Sequence, residues 1–536
     1  MRRRVHACWP LLAGAVAAAA PPARAAITEN LTTSVVAMAL GNAVTADPPG
    51  IDSIHFNPAG LARLKGDSES FSAFGASIRS TARFHTPPGF SVGGWTDDPV
   101  SGQSTGPVRQ GMYVPGYGKP GWRLPAVLIP GVGMAFNKAG SRFTFATQSY
   151  MSQAMSIDRS TDPNDPARFQ GRQVQLQRLV YAAPSVGYKF SDTLSFGVAV
   201  PIAHSAFVID TDMRFPNSLL GIFGKFQQGW CPTNGGNILD TFGVGLCGGG
   251  KEGLVNPFKQ AAKMRLEMTA PFDPTINLGV LWEPRDWFAV GAVYQGGAQT
   301  QYTGTYTFTT EPMLRNFVNG MNSSLFGPIV GAVLGFPSSI PREQKGNLTA
   351  TIPFPAHLQV GIKLKPLRYV QLNVDASYAR WGDWNALTFQ FDQSIKLLEV
   401  ARLYGIPNSG QLKIPRGYKS VLNMGYGLQL FPTEKLTLRF GYEPRKSSIP
   451  GDKIDLIAPL PDTKLYSFGL NYKLSKQSDV NLTASYLIGR FNTPANSDCN
   501  MNCNNFLNVI YNPYAGHDVA GDIRVRYVGV SYNRHF

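Results

Sequence analysis

The stretch Asn347–Lys365, NLTATIPFPAHLQVGIKLK, alternates almost without a break. Leu348, Ala350, Ile352, Phe354, Ala356, Leu358, Val360, Ile362 and Leu364 share one parity, opposite Asn347, Thr349, Thr351, His357, Gln359 and Lys363. A period of two puts those residues on the two faces of a β-strand, one apolar and one polar. Its nineteen residues exceed the ~9 to 11 that cross a bilayer as a tilted strand. The expectation is one lipid-facing strand that projects past the membrane.

Working outward, the same alternation recurs in Val370–Tyr378, Leu422–Gln429 and Val480–Tyr486. About fourteen such segments follow one another, centred near residues 76, 132, 149, 181, 203, 272, 297, 356, 375, 420, 441, 468, 485 and 529. An even count suits a closed antiparallel barrel with both ends on one side. Short turns, such as Glu283–Asp286 and Pro366–Arg368, alternate with long loops near 85–127, 158–171, 214–261, 311–346, 383–410, 450–461 and 492–520. Transmembrane barrels have this asymmetry, with short periplasmic turns and long external loops. Trp282 and Trp287 flank one short turn, where an interfacial aromatic belt would sit. The expected fold class is all-β, a 14-stranded antiparallel transmembrane β-barrel.

The composition agrees. Of 536 residues 15% are charged and 11% aromatic, with 56 Gly and 40 Pro, a mixture of strand and turn formers. Mean hydropathy is −0.11, too low for a bundle of membrane helices but ordinary for strands with one polar face. Residues 1–26 read as a secretory signal: Arg2–Arg4 are the basic start, Trp9–Ala20 the apolar core and Ala23-Arg24-Ala25 the cleavage site. Removing Arg2, Arg3, Arg4 and Arg24 lowers the formal charge from +15 to +11. An exported basic chain meets the phosphates of an outer leaflet, lipid and lipopolysaccharide, rather than nucleic acid. Cys8 leaves with the signal. Cys231 and Cys247, and Cys499 and Cys503, remain as two local pairs expected to form disulfides in an oxidising compartment. A zinc site from the four thiols is the alternative, although neither pair has the two-residue spacing of common structural sites.

Ahead of the strands, Gly41–Leu64 is compact and irregular. Asp47-Pro48-Pro49-Gly50 are turn formers, and in Asn57-Pro58-Ala59-Gly60-Leu61 the Asn can cap free amides while Pro needs no partner at the first helical position. Such a segment cannot bury a core alone and must be enclosed. An amino-terminal Gly-Asn-Ala-Val-Thr-Ala-Asp run leading to this Asn-Pro-Ala-Gly motif, ahead of a β-rich chain ending in Phe536, resembles the FadL family of outer-membrane transporters. The resemblance implies a hatch over residues 27–66 plugging a barrel over 67–536. It implies a long-chain fatty acid or an aromatic hydrocarbon as cargo, diffusive passage, and lateral escape through a kinked wall, for which Pro184, Gly187 and Pro201 are possible kinks. Arg534 departs from the apolar residue usual two places before the carboxy-terminal aromatic. A monomer is expected.

Two external loops carry apolar helical patches. Pro216–Trp230 offers Leu219, Leu220, Phe223 and Phe226, and Met313–Phe336 offers Phe317, Leu325, Phe326, Ile329 and Val333. External loops this apolar either cover one another or meet an apolar ligand. In the family the third and fourth external loops form the groove that captures the ligand, and these are the third and fourth here. Gly327, Gly331 and Gly335, four apart, would let their helix approach a neighbour closely. For the ligand's carboxylate the candidates are Arg265, Lys363 and Arg439, expected on lumen faces, where Glu267, Asp375 and Glu443 would compete for them. The seven histidines share no metal-ligand spacing and no Gly-x-Ser-x-Gly run occurs. The sequence therefore points to no enzyme, metal or cofactor. An adhesive or structural barrel is the rival reading.

Overall fold

The computed structural model describes residues 30–112, 122–124, 127–234, 237–402, 406–504 and 512–536. The expected signal segment lies outside the described residues. Fourteen antiparallel strands close into a barrel. They are β1 (Ser68–His85), β2 (Val127–Phe136), β3 (Phe143–Asp158), β4 (Gln173–Ala182 and Ser185–Lys189), β5 (Leu194–Ala199 and Ile202–Met213), β6 (Ala262–Pro274 and Asn277–Arg285) and β7 (Phe288–Gln295 and Ala298–Thr310). Next come β8 (Glu343–Phe354 and His357–Leu367), β9 (Val370–Ala379 and Ala386–Phe391), β10 (Gln411–Pro415 and Val421–Leu430), β11 (Leu436–Arg445), β12 (Thr463–Lys473), β13 (Ser478–Thr493) and β14 (Asp518–His535). Closure is made by β1, which pairs with β2 from Ser68↔Ala135 and with β14 from Ser68↔His535.

Strands β4 to β10 stop and restart, and β3 carries a bulge at Ser152. The causes are local. Pro184, Pro201 and Pro355 have no amide for the ladder, Gly296-Gly297 weakens β7, and in β6 the register slips between Ala270 and Asp273. Pro184 and Pro201 thus sit at interruptions, whereas Gly187 lies inside an unbroken segment.

One extra residue inverts every side chain beyond it, and this corrects the reading of Asn347–Lys365. Below Pro355-Ala356, Leu358, Val360, Ile362 and Leu364 face outward, as expected. Above it, Leu348, Ala350, Ile352 and Phe354 are buried in a large apolar core inside the barrel. The outward face there is Thr349, Thr351 and Gln301, suited to water rather than lipid. The upper half of this wall therefore rises above the membrane around an apolar interior, with Phe207, Ile209, Tyr302, Phe308 and Phe389 from neighbouring strands in the same cluster.

The lower lumen holds residues 30–66. Ser34 caps α1 (Val35–Ala39) by accepting from the Ala37 amide at 3.2 Å, and a 3-10 turn leads into α2 (Ser53–Phe56). Asn57 does what an Asn before Pro can do and more. Its Oδ1 accepts from the Ala59 amide at 3.2 Å, while its Nδ2 donates to the Thr45 carbonyl at 2.8 Å and to the Val280 carbonyl of β6 at 3.0 Å. Gly133, Gly187, Gly197, Gly279, Gly291, Gly425, Gly441 and Gly469, on eight strands, face this segment. A Cβ on Gly197 would stand 2.1 Å from the Pro58 carbonyl carbon, and one on Gly441 2.1 Å from the Gly41 nitrogen. The segment is seated backbone against backbone.

Candidate functional site

The third external loop folds into α3 (Ser218–Asn234) and α4 (Ile238–Phe242), the fourth into α5 (Pro312–Asn322) and α6 (Gly327–Leu334). Asn217 caps α3 by accepting from the Leu219 amide at 2.8 Å. The Cys231–Cys247 disulfide ties the end of α3 to the strand of loop that follows. Buried Gln227 clamps the same loop, donating to the Leu246 carbonyl at 2.8 Å and accepting from the Val255 amide at 2.8 Å. The second pair, Cys499–Cys503, is also joined, so none of these four thiols is free for a metal.

Helices α5 and α6 bend by 118° at Ser323–Phe326, so this apolar run makes a corner rather than a span. Gly327 and Gly331 do bring α6 close to a neighbour: a Cβ on Gly327 would run into the Met321 carbonyl at the end of α5, and one on Gly331 would stand 3.2 Å from the Met321 Cε. Gly335 has φ 72° and instead ends α6 as a left-handed cap. A further close approach is at Gly320 of α5, where a Cβ would stand 2.1 Å from the Gly249 nitrogen.

Between these helices lies an apolar cavity of about 290 Å³. Leu219, Leu220 and Phe223 line it from α3, Phe317 and Met321 from α5, and Val330 and Leu334 from α6. Phe223 meets Phe317 edge to face with centroids 5.3 Å apart. The fifth loop adds Leu397, Val400 and Ala401, the first of these on α7 (Lys396–Glu399). Exposed Lys259 is the one charged lining residue, with no ion pair among the described residues. A second cavity of about 50 Å³ shares Phe215, Leu397 and Ala401 with the first and reaches Ile209, Met264 and Leu412 in the apolar barrel core.

Of the nine expected groove residues, Leu219, Leu220, Phe223 and Phe317 line the cavity. Phe226, Leu325, Phe326, Ile329 and Val333 do not; they are exposed, Val333 by 79% and Ile329 by 59%. Leu325 and Phe326 donate their amides to the carbonyls of Thr241 and Gly243, which puts them beside exposed Ile238, Leu239 and Phe242. These residues form an apolar outer surface over the cavity. Sequence reasoning missed the fifth loop, although its run Ile395–Ala401 carried the signal, and it missed Lys259, which nothing local marks.

The three cationic candidates part company. Arg265 is corrected: the slip between Ala270 and Asp273 inverts upper β6, so Met264 and Leu266 point into the core and Arg265 faces out, paired with Asp210 at 2.9 Å and with Glu267. Lys363 does face the lumen, but lies 3.3 Å from Glu283 and 3.8 Å from Asp47, which also hold Arg63 at 2.6 and 3.0 Å. This four-charge cluster fastens the amino-terminal segment to β6 and β8. Burial alone would raise the Asp47 carboxyl, but Arg63, Lys363 and Gln371 outweigh it and hold the group below the usual carboxylate value. Arg439 donates to Gln429 at 3.1 Å and Asn481 at 2.7 Å. It lines a polar cavity of about 240 Å³ between the amino-terminal segment and β1, β13 and β14, far in the chain fold from the apolar cavities. Asp375 accepts the Thr45 amide at 2.7 Å, and Glu443 is taken by Asn42 at 2.8 Å and Arg445 at 2.7 Å.

The family sequence model described as outer membrane protein transport protein (OMPP1/FadL/TodX) matches residues 14–536. A long-chain fatty acid transport protein of Escherichia coli O6:H1 (strain CFT073) is 21% identical over 217 residues, 40% of this chain; the chain spans 42% of that relative. Among solved structures, a Pseudomonas aeruginosa FadL homologue aligns with TM-score 0.65 at 15% identity, covering 95% of this chain and 100% of the other. The Pseudomonas putida toluene transporter TodX aligns with TM-score 0.56 at 14% identity over 93% and 97%. At such identities the likeness is one of fold.

Proposed function

Because this chain belongs to the OMPP1/FadL/TodX family of outer-membrane transport proteins for hydrophobic compounds, we propose that its cargo is an amphiphile with one extended alkyl chain, a long-chain fatty acid. The observation that carries this reading is the pair of neighbouring apolar cavities that share Phe215, Leu397 and Ala401, with exposed Lys259 lining the first and exposed Lys413 the second. A single compact ring has no use for two cavities in series. A long chain can fill both, with its carboxylate left beside Lys259 in water, where charge is cheap.

In this reading the exposed apolar surface of α4 and α6 collects the ligand and the cavity desolvates it. Beyond the second cavity the interrupted strands hold a polar chamber lined by His55, Tyr150, Arg178 and His357 together with Phe354 and Val180. Residues 30–66 act as the hatch below it. For lateral escape the seam between β2 and β3 is the favoured place. Their ladder ends at Val132↔Ser149, above which β3 pairs with β4 alone and reaches the first loop through Arg109↔Asp158. Passage needs no energy source.

Equilibrium binding of a fluorescent fatty acid to the purified protein tests this. Saturable binding that an unlabelled fatty acid displaces and toluene does not is the expected result. Displacement by toluene alone would transfer the site to aromatic hydrocarbons, and no saturable binding would leave an adhesive barrel. Lys259→Gln should weaken fatty-acid binding a few-fold and leave that of an uncharged alkane probe unchanged.

A further inference from the structure

Strands β12, β13, β14 and β1 carry a group of cations on their outward faces at one height. Arg79 stands opposite Arg524, Arg524 opposite Ile488 and Ile488 opposite Lys464, so these four side chains form one row across the wall. One row lower is Ser77–Arg526–Tyr486, one higher Thr81–Asp522–Arg490, and two higher Arg83. All face away from the lumen, since they alternate with buried Val525, Ile523, Tyr527 and Leu487. Six cations thus share a surface with one carboxylate, Asp522, which Arg524 holds at 2.6 Å and Thr81 also donates to. Asp462 at the top of β12 is taken by Lys446 at 2.5 Å, and Asp518 accepts the Ala495 amide. Arg79, Arg83, Lys464, Arg490 and Arg526 have no ion pair among the described residues.

The height is informative. The outward row Glu69–Arg534 lies ten residues below the row Arg79–Arg524. At ~3.4 Å per residue and a tilt of ~40°, that is about 26 Å along the membrane normal, against an apolar band ~25 Å tall. The first three rows between hold Phe71, Tyr532, Val480, Ala73, Val530, Leu482, Gly75, Val528 and Ala484, all apolar but for the tyrosine hydroxyl, and the fourth is Ser77–Arg526–Tyr486. The cations therefore begin where the hydrocarbon ends, on the external side, and Arg526 sits at the edge itself. An arginine there stretches its head toward the interface, and five unpaired cations beside each other repel unless an anion joins them. Elsewhere on the outer wall the arrangement differs: Arg265 is neutralised by Asp210 and Glu267.

We infer that the β12–β13–β14–β1 face binds the phosphates of the phosphorylated glycolipid that forms the outer leaflet. Guanidinium forks match phosphate oxygens two at a time, and the apolar rows beneath take the acyl chains. The inference rests on the outer-membrane placement and is independent of the cargo.

The test uses the full-length protein in detergent and titrates bisphosphoryl lipid A, the same lipid freed of phosphate, and inorganic phosphate. Arg79→Gln/Arg524→Gln/Arg526→Gln should bind bisphosphoryl lipid A at least tenfold more weakly. The control Arg285→Gln/Lys473→Gln/Arg534→Gln, with equal charge removed at the periplasmic rim, should bind as the parent does. Substituting lysine at the three patch positions should restore part of the loss. Fluorescent fatty-acid binding, read on the same samples, should be unchanged, which separates this surface from the cargo site. Equal binding by patch variant and parent would overturn the inference, as would equal binding of the phosphate-free lipid or displacement by inorganic phosphate. Should the triple variant fail to fold, Arg526→Gln, exposed and without partners, carries the same test with a several-fold loss.

Discussion

In β11–β14 and β1 the ladder runs unbroken from periplasm to exterior and each strand keeps one parity inward, whereas β4 to β10 stop, restart and mostly change faces midway. The unbroken half is an ordinary membrane wall, its outer rows apolar up to the arginine row. The broken half is two walls stacked: a lower one against lipid and the amino-terminal segment, and an upper one with Thr and Gln outside and an apolar core inside. Among the described strands, those of the broken half alone border the apolar cavities. A β-barrel can thus build a soluble-domain core on top of a membrane segment with the same strands, by interrupting each of them and inverting most.

The largest expected effect is at Arg214, fully buried above the broken half and paired with Asp98 at 2.7 Å. Arg214→Ala leaves that carboxylate buried with only His517 beside it and should cost about 3–5 kcal/mol, read as loss of hydrogen-exchange protection in residues 86–102, 494–504 and 512–518. Arg524→Ala, on the exposed face of the unbroken half, should change protection little. Next is ligand capture: Leu219→Ser/Phe223→Ser should weaken fatty-acid binding tenfold or more, while Leu482→Ser/Val530→Ser on the unbroken wall leaves it alone. Equal effects would show that the cavity is not the binding site. Third, Pro355→Val with Gly297→Val should knit β7 to β8 and reduce uptake several-fold with binding retained; unchanged uptake would remove the interruption from the route.

The smallest effect concerns pH. Asp498, in the last external loop, is pushed up to about 7 by burial, with Asp455 nearby adding to it and the Asn500 amide opposing. A folded-state value above the unfolded one means the protonated loop is the stable form, so stability falls as pH rises from about 4 to 7. Protection of residues 494–504 should be greater at pH 5 than at pH 8, and Asp498→Asn should abolish that difference.

Much of the wall was legible because period two survives in every strand: fourteen segments, their short turns and their long loops follow from parity alone. What parity cannot carry is its own inversion. Leu348 and Leu358 look equivalent in the chain, yet one faces the core and the other lipid, because a one-residue slip leaves no mark in the hydrophobic pattern. The same slip moved Arg265 to the outer face. In the loops, amphipathic helices announced an apolar site, but which of Phe223 and Phe226 turns inward depends on tertiary contacts such as the Gly320–Gly249 crossing.

The ring of bare positions under residues 30–66 has a further consequence. A seat made of main chain reads little of the side chains that turn away from it, so residues 30–66 are free to vary wherever they neither pack against the wall, as Val35, Met38, Ile51, Ile54 and Leu61 do, nor bear the Asn42, Asp47, Asn57 or Arg63 contacts. Amino-terminal segments from barrels with the same bare ring should then be interchangeable so long as they keep those anchors and the backbone path.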